Sequence, residues 1–317
     1  MVKKTKAVNK VNVFEKNIKN GEIMGKNLSL NEDKSTLSNS ISIVVIGYDG
    51  YKDVWNNFVH FINKYWKDRP KTYLATSELE PDYYNIEIIK AGVSSEWSNK
   101  ARNALKKIKT KYVLLLLEDF FIVDYVDNNK LNEILDFIIK YGIKFYQLSS
   151  MSFTKYLIFE KKLSGYNYVH IIPKSKKYGL NLQAAIWDKD YLLEIIGEGN
   201  YNTWEFECNN IYIKNYDENK ISYVIDDRNV LNILHSVLQS KYLPSAIYKC
   251  RKIGYNLNNS NRKVMSVWDE LKFRFKSLMG RLIPNRLIIP FKRLARHLKY
   301  NFVSDKYLKN YINENNE

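Results

Sequence analysis

Leu114, Leu115, Leu116 and Leu117 run without interruption into Glu118, Asp119 and Phe120. An unbroken apolar run of strand length needs cover on both faces, which confines it to the middle of a sheet in an α/β protein. Two adjacent carboxylates then stand where that strand must end. In an open α/β sheet, ligands bind in the crevice outside the carboxyl ends of the strands. An acidic pair there costs desolvation energy unless it holds something positive, such as a metal ion, a hydroxyl donor or a sugar.

The flanking sequence supplies the rest of such a sheet. Residues 42–46 form a β-branched run closed by Gly47-Tyr48-Asp49-Gly50. A helix follows with Val54, Trp55, Phe58, Phe61, Ile62, Tyr65 and Trp66 on one face, ended by Pro70. Short strands are expected at 72–75 and 86–89, then a helix capped from Ser95 or Ser98 with Ala101, Ala104, Leu105 and Ile108 inward. Beyond the Leu run, Leu131, Ile134, Leu135, Ile138 and Ile139 mark another amphipathic helix, and 143–148 another strand. This alternation predicts an α/β fold with a single Rossmann-like, mostly parallel sheet flanked by helices. Past residue 150 the pattern loosens. It predicts a strand at 166–172, helical pieces at 180–187 and 189–196, and a stop at Gly197-Glu198-Gly199. A helix capped by Thr203 and a strand at 221–225 complete the expected series.

Three regions are expected: a polar extension at 1–40, a catalytic domain at 41–258 and a basic amphipathic helical tail at 259–317. In the tail, Trp268, Leu271, Phe275, Leu278 and Met279 interleave with Lys272, Arg274 and Lys276, broken by Pro284 and Pro290. The formal net charge of +16 implies an anionic partner. Cys208 and Cys250 lie far apart and the four histidines are scattered, so no zinc site is expected and nothing requires an oxidising compartment. No run approaches the ~20 apolar residues of a membrane span, and the Lys-rich opening lacks a signal-peptide core. A cytoplasmic location is the expectation.

Ala101-Arg102-Asn103, followed by Tyr112-Val113-Leu114 through Glu118-Asp119, resembles the nucleotide-sugar-dependent glycosyltransferases of the GT-A fold. More narrowly, the chain resembles a bacterial group that makes surface polysaccharides of the capsule, lipopolysaccharide or exopolysaccharide kind. The matching pieces are Tyr48-Asp49, Leu117-Glu118-Asp119-Phe120-Phe121 and Trp204-Glu205-Phe206-Glu207, within about residues 41–255. The resemblance implies transfer from a nucleotide-sugar donor to a glycan or lipid-linked acceptor. It also implies an acidic metal motif, but the usual DxD spacing is absent: Glu118 and Asp119 are adjacent and Phe120 stands where a second Asp would. Asp119 is then expected as the main ligand of Mn²⁺ or Mg²⁺, with Glu118 supporting the sugar or the ligand sphere.

A diphosphate leaving group calls for positive charge, for which Lys100 and Arg102 are candidates; Arg102 has the alternative of fixing the Glu118-Asp119 loop through a salt bridge. Tyr48 and Asp49, with Ser77 and Glu78, are placed to grip base and ribose, although Asp49-Gly50 also suits a plain turn. By resemblance to inverting enzymes, Glu207 is the expected general base and Glu205 the second choice. Two residues apart on a helix they point different ways, and capping of the helix start explains an acid there equally well. Trp204 offers an aromatic face to an acceptor sugar or else belongs to the core. Gln183, Trp187 and Asp188 fall where acceptor contacts are expected, whereas His170 and His235 read as packed or surface residues. The basic tail either docks on an anionic membrane surface at the inner face or packs on the catalytic domain. Two other functions fit parts of the chain. A nucleic-acid-binding protein suits the charge and aromatics, but the Leu-run carboxylates would repel a phosphate backbone, and no nucleic-acid partner is expected. A nucleotidyltransferase would want a Gly-rich phosphate loop, of which Gly47-Tyr48-Asp49-Gly50 is a poor example.

Overall fold

Parallel strands buried on both faces fix the centre of the molecule. The structure, a computed structural model, describes residues 37–148, 162–174, 176–211, 213, 214, 216, 217, 219–257 and 262–282. A short helix α1 (Leu37–Ser40) leads into β1 (Ile41–Ile46), every residue of which is buried. Then come α2 (Lys52–Tyr65), β2 (Thr72–Thr76), β3 (Glu87–Lys90), α3 (Trp97–Lys107) and β4 (Tyr112–Leu117). The expected extension at 1–40 falls outside the described residues for 1–36, while Leu37 is buried against the core.

The chain continues with β5 (Phe120–Ile122), α4 (Asn128–Tyr141), β6 (Phe145–Gln147), β7 (Lys162–Leu163), β8 (Tyr166–Ile171), β9 (Ala185–Asp188), α5 (Lys189–Ile196), α6 (Thr203–Asn209) and β10 (Tyr223–Asp226). β11 (Ile233–His235) pairs with β5, and β12 (Val237–Leu238) with β13 (Lys241–Tyr242), ahead of α7 (Pro244–Lys252) and α8 (Val267–Leu282). The main sheet has nine strands in the order β3-β2-β1-β4-β9-β6-β10-β8-β7. β1 pairs in parallel with both β2 and β4. The chain therefore leaves β1 toward β2 and β3 on one side and returns to β4 on the other, which makes the carboxyl ends of β1 and β4 the topological switch point.

Two strands run against the rest. β9 lies antiparallel between β4 and β6, and β8 antiparallel to β10. The helix expected at 180–187 is thus corrected to a strand at its end: Ala185, Ile186, Trp187 and Asp188 are all buried, and a strand covered on both faces shows no alternation to distinguish it from a buried helix. Both faces of the sheet carry apolar layers. Ile43, Val45, Leu114 and Leu116 point to the layer under α2 and α4, and Val44, Ile46, Val113 and Leu115 to the layer under α3, α5 and α6. Leu114, Leu115 and Leu116 are each at most 1% exposed; truncating one to Ala costs about 2–5 kcal/mol. Gly47 fits closely where β1 ends: a Cβ there would meet Leu74 Cδ1 and Trp55 Cζ2 at 3.0 Å, so those side chains would have to shift to admit one.

Candidate functional site

The site is built on the carboxyl ends of β1, β2 and β4. Ile46 pairs with Leu117, so Gly47 and Glu118 leave the sheet side by side, and the Tyr48 backbone N–H donates to Glu118 Oε1 at 3.1 Å. The Asp49 carboxylate accepts from the Ser77, Glu78 and Leu79 backbone N–H groups at 2.8, 2.9 and 3.1 Å. It shapes the loop after β2 instead of presenting free oxygens to a ribose. Burial pushes its pKa up, but the three amides and Lys100 outweigh that and hold it below the usual aspartate value. Glu78 itself is exposed on that loop, and Tyr48 is 60% exposed at the mouth of the site.

Lys100 is the cation of this site. It is 3% exposed, with Nζ 5.5 Å from the Tyr48 ring centroid and 3.5 Å from Ser77 Oγ. Burial lowers its pKa, and the charges of Glu118, Asp49 and Glu96 oppose that. Among the described residues its ammonium makes this one long hydrogen bond and otherwise lies in the field of those three carboxylates. Arg102 does not share this role. Its guanidinium turns away to the Gly197 and Gly199 carbonyls, with Glu198 at 3.9 Å. Neither expectation for Arg102 describes what it touches: it is buried against the turn between α5 and α6, away from both a donor phosphate and the Glu118-Asp119 loop.

Burial drives the Glu118 pKa up to about 8, with the Asp119 charge adding to it against the backbone amides and Lys100. Burial likewise raises Asp119 to about 7, opposed by its own amide, the Val237 N–H and the Arg262 charge. The Asp119 backbone carbonyl accepts from Ser236 N at 3.1 Å and Ser236 Oγ at 3.0 Å. Glu118 is buried and Asp119 half-buried beside it, and two adjacent carboxyls this reluctant to ionise fit a site that receives positive charge with its ligand. Among the described residues no group of three or more His, Cys, Asp or Glu converges. The donor set fits a divalent ion only in company with a ligand's own phosphate oxygens, as Mg²⁺ sites often are built.

α6 brings the second acidic cluster. Asn202 is its N-cap, accepting from Trp204 N and Glu205 N, and Glu205 closes a capping box by accepting from Asn202 N at 2.9 Å. Thr203, expected as the cap, is instead the first helical residue. Glu205 therefore stabilises the helix start, which removes it as the second-choice base. Glu207 Oε1 accepts from Leu182 N at 3.2 Å, and burial raises its pKa. Trp204 is 53% exposed, so it stands outside the core.

The topology brings Glu207 and Glu118 to one edge. β9 runs antiparallel to β4 with Leu115 opposite Ala185, a register that continues to Gln183 beside Leu117, where β4 ends, and Leu182 beside Glu118. Helix α3 ties the two clusters together. Trp97 packs on Phe206 with ring centroids 4.9 Å apart, Ser98 N donates to Tyr201 O, and Lys100 follows three residues along the same helix. Of the residues expected near the acceptor, Trp187 is fully buried and Asp188 caps α5 and pairs with Lys144. Gln183 lies at the edge, its buried Oε1 without a hydrogen-bond partner among the described residues. Asn181 beside it reaches Gln147 Oε1 at 3.2 Å. His170 meets Asp227 at 3.0 Å, and burial lowers the His235 pKa to about 4. The sequence offered no signal for the Leu182, Ser236 and Val237 contacts, which depend on pairing across long separations. A cleft of about 1030 Å³ on the α2 side adjoins this site: Asp49 and Leu79 line it together with Lys52, Tyr83, Lys241 and Arg262, whereas Lys100, Glu118 and Glu207 do not.

No protein-family model matches the chain, and no curated protein matches it. Among solved structures it is similar to S. aureus TarS 1-349, at 14% identity over 59% of this chain and 60% of that one, with a TM-score of 0.36; a further TarS structure holds UDP-GlcNAc. It is also similar to 4-diphosphocytidyl-2C-methyl-D-erythritol synthase from Anaerococcus prevotii, at 10% identity over 68% and 99% of the two chains, TM-score 0.37. A third is 2-C-methyl-D-erythritol 4-phosphate cytidylyltransferase from Thermus thermophilus, at 10% identity over 68% and 98%, TM-score 0.39. The chain spans about 60% of the TarS fragment it matches. Likeness at this level concerns chain path alone; the site's own side chains carry the chemistry.

Proposed function

We propose that the protein transfers a sugar from a nucleotide-sugar donor to a hydroxyl of a glycan or lipid-linked acceptor, with inversion. The observation that carries this reading is the buried Lys100 ammonium between Tyr48 and Glu118 at the switch point, joined through α3 to the helix that bears Glu207. The donor diphosphate lies against Lys100 and the loop after β2. Glu207, ionised, takes the proton of the acceptor hydroxyl. The acceptor oxygen attacks the anomeric carbon, the bond from that carbon to the phosphate oxygen breaks, and the nucleoside diphosphate leaves with the electron pair. Lys100 neutralises the charge that gathers on it. Asp119, with Glu118, would hold Mn²⁺ or Mg²⁺ together with the diphosphate, and such an ion would supply further positive charge to the leaving group. The exposed Trp204 ring and the Gln183 carboxamide suit an uncharged, hydroxyl-rich acceptor.

The deciding experiment is thermal melting with UDP-, GDP-, dTDP- and CMP-sugars, paired with product analysis. Stabilisation by one donor class, lost in Lys100→Met, and release of nucleoside diphosphate support the reading. Release of pyrophosphate from a nucleoside triphosphate and a sugar phosphate would establish a nucleotidyltransferase instead. Full turnover in EDTA would remove the metal from the scheme while leaving Lys100 in place.

A further inference from the structure

We propose that the outward stripe of α8, formed by Val267, Trp268, Leu271 and Phe275, seats the protein on an anionic lipid surface. These side chains are 60, 74, 50 and 65% exposed. At 3.6 residues per turn they share one arc of about 100°, the width of a face that ordinarily meets a core. Here that face meets solvent.

The helix is anchored along its other edge, so the stripe is held outward. Glu270 is buried and accepts from Ser245 N of α7 at 3.0 Å, from the Ser245 hydroxyl and from Arg274 Nε at 2.8 Å. Ser266 Oγ accepts from Asp269 N at 3.1 Å and fixes the helix start. The preceding segment is bonded to β13: Tyr242 N donates to Lys263 O at 3.0 Å, Met265 N to Tyr242 O at 2.9 Å, and Met265 packs with Leu243 and Ala246. Arg262 binds Asp53 at 2.7 Å and lies 4.0 Å over the Tyr51 ring. The tail therefore begins as part of the catalytic body, and the platform is rigid with respect to the site.

Charge selects the occupant. Lys272 stands one turn after Trp268, and Lys241 and Lys263 are exposed on the paired strands before the helix. The acids of α8 are engaged, Asp269 in the cap and Glu270 inside with Arg274. An apolar arc holding Trp and Phe with Lys272 at its edge, on a face of the protein that also exposes Lys241 and Lys263 at the neighbouring cleft, matches a helix lying in the headgroup region of a bilayer, rings among the acyl boundary and ammonium groups at the phosphates. A second copy of the chain would bring the same basic rim against itself, which like-charge repulsion disfavours. Beyond α8 the chain adds Arg286, Lys292, Arg293, Arg296 and Lys299, extending the same charge. Among the described residues no helix is long and apolar enough to cross a membrane, so the contact lies on the surface. This inference stands apart from the transfer reading, since it uses none of the residues at the β4 edge.

The test uses the full chain and co-sedimentation with vesicles, either phosphatidylcholine alone or phosphatidylcholine mixed with phosphatidylglycerol. The wild type should pellet with the anionic vesicles and not with the neutral ones, and less so in high salt. The double variant Trp268→Ser, Phe275→Ser should lower partition by about tenfold or more. Lys272→Gln should lower it by about fivefold on anionic vesicles only. Because these side chains are exposed, melting temperature and turnover of a soluble acceptor should be unchanged. Equal partition of the double variant overturns the proposal, as does equal binding to neutral vesicles. A wild-type dimer that the double variant converts to monomer would assign the stripe to a second copy instead.

Discussion

The two halves of the sheet's carboxyl edge are built on different principles. Where β1, β2 and β4 run parallel, the loops are saturated with charge bound to backbone: Asp49 on three amides, Glu118 on Tyr48 N, and Lys100 buried among them. Where β9 turns back between β4 and β6, the edge offers neutral carboxamides and a single carboxylate, Glu207, held by one amide. On the proposed reading the first half receives the anionic donor. In the second, Gln183 Oε1 has no hydrogen-bond partner among the described residues, a vacancy that an acceptor hydroxyl would satisfy.

Substitutions that separate the halves give the sharpest tests. Glu207→Gln should lower transfer by about 10²–10⁴-fold while leaving donor-induced stabilisation intact; retained transfer would dissolve the division of labour. Lys100→Met should lower kcat/KM by about 10²–10³-fold and abolish donor stabilisation together. The pH profile should follow the acceptor half. Because Glu207 must be ionised to act and burial raises its pKa, the rate should climb with pH through a limb above the ordinary glutamate range, and Glu207→Gln should flatten it. Asp49→Asn should cost about 1–2 kcal/mol of stability at neutral pH and weaken donor binding. The Asp49 pKa is depressed in the fold. Its contribution is therefore present above the unfolded value and lost as pH falls through the folded one, so wild type and variant should converge in melting temperature in acid. Smallest of all, Glu205→Gln should cost no more than about 1 kcal/mol and leave turnover unchanged, since its part is capping.

Much of the donor half was legible because its signals are local. The Leu run, the acid pair at its end and the apolar face of α3 are each contiguous or periodic, and β1 and β4 emerged where those patterns placed them. Lys100 and Arg102 show the limit of such reading. Both sit on α3, but their directions depend on partners distant in sequence, Ser77 and Glu118 for one and Gly197 and Gly199 for the other. The acceptor half was less legible. Leu180, Ala184 and Trp187 imitate a helical repeat in a segment whose end is an inner strand, and only its neighbours β4 and β6 reveal its direction. The sequence ranked Glu207 ahead of Glu205 as a base, but the capping box that Glu205 closes depends on the local backbone path.

The inserted strand also bears on how a nascent chain assembles. β4 and β6 have both been synthesised by Gln147, but the strand that joins them begins only at Ala185. Until then β4 has β1 on one side and a bare row of amides and carbonyls on the other, a template for mispairing. The first four strands can zip up as a local unit, whereas closure of the sheet waits on a segment still emerging, which makes that interval the window in which aggregation competes with folding.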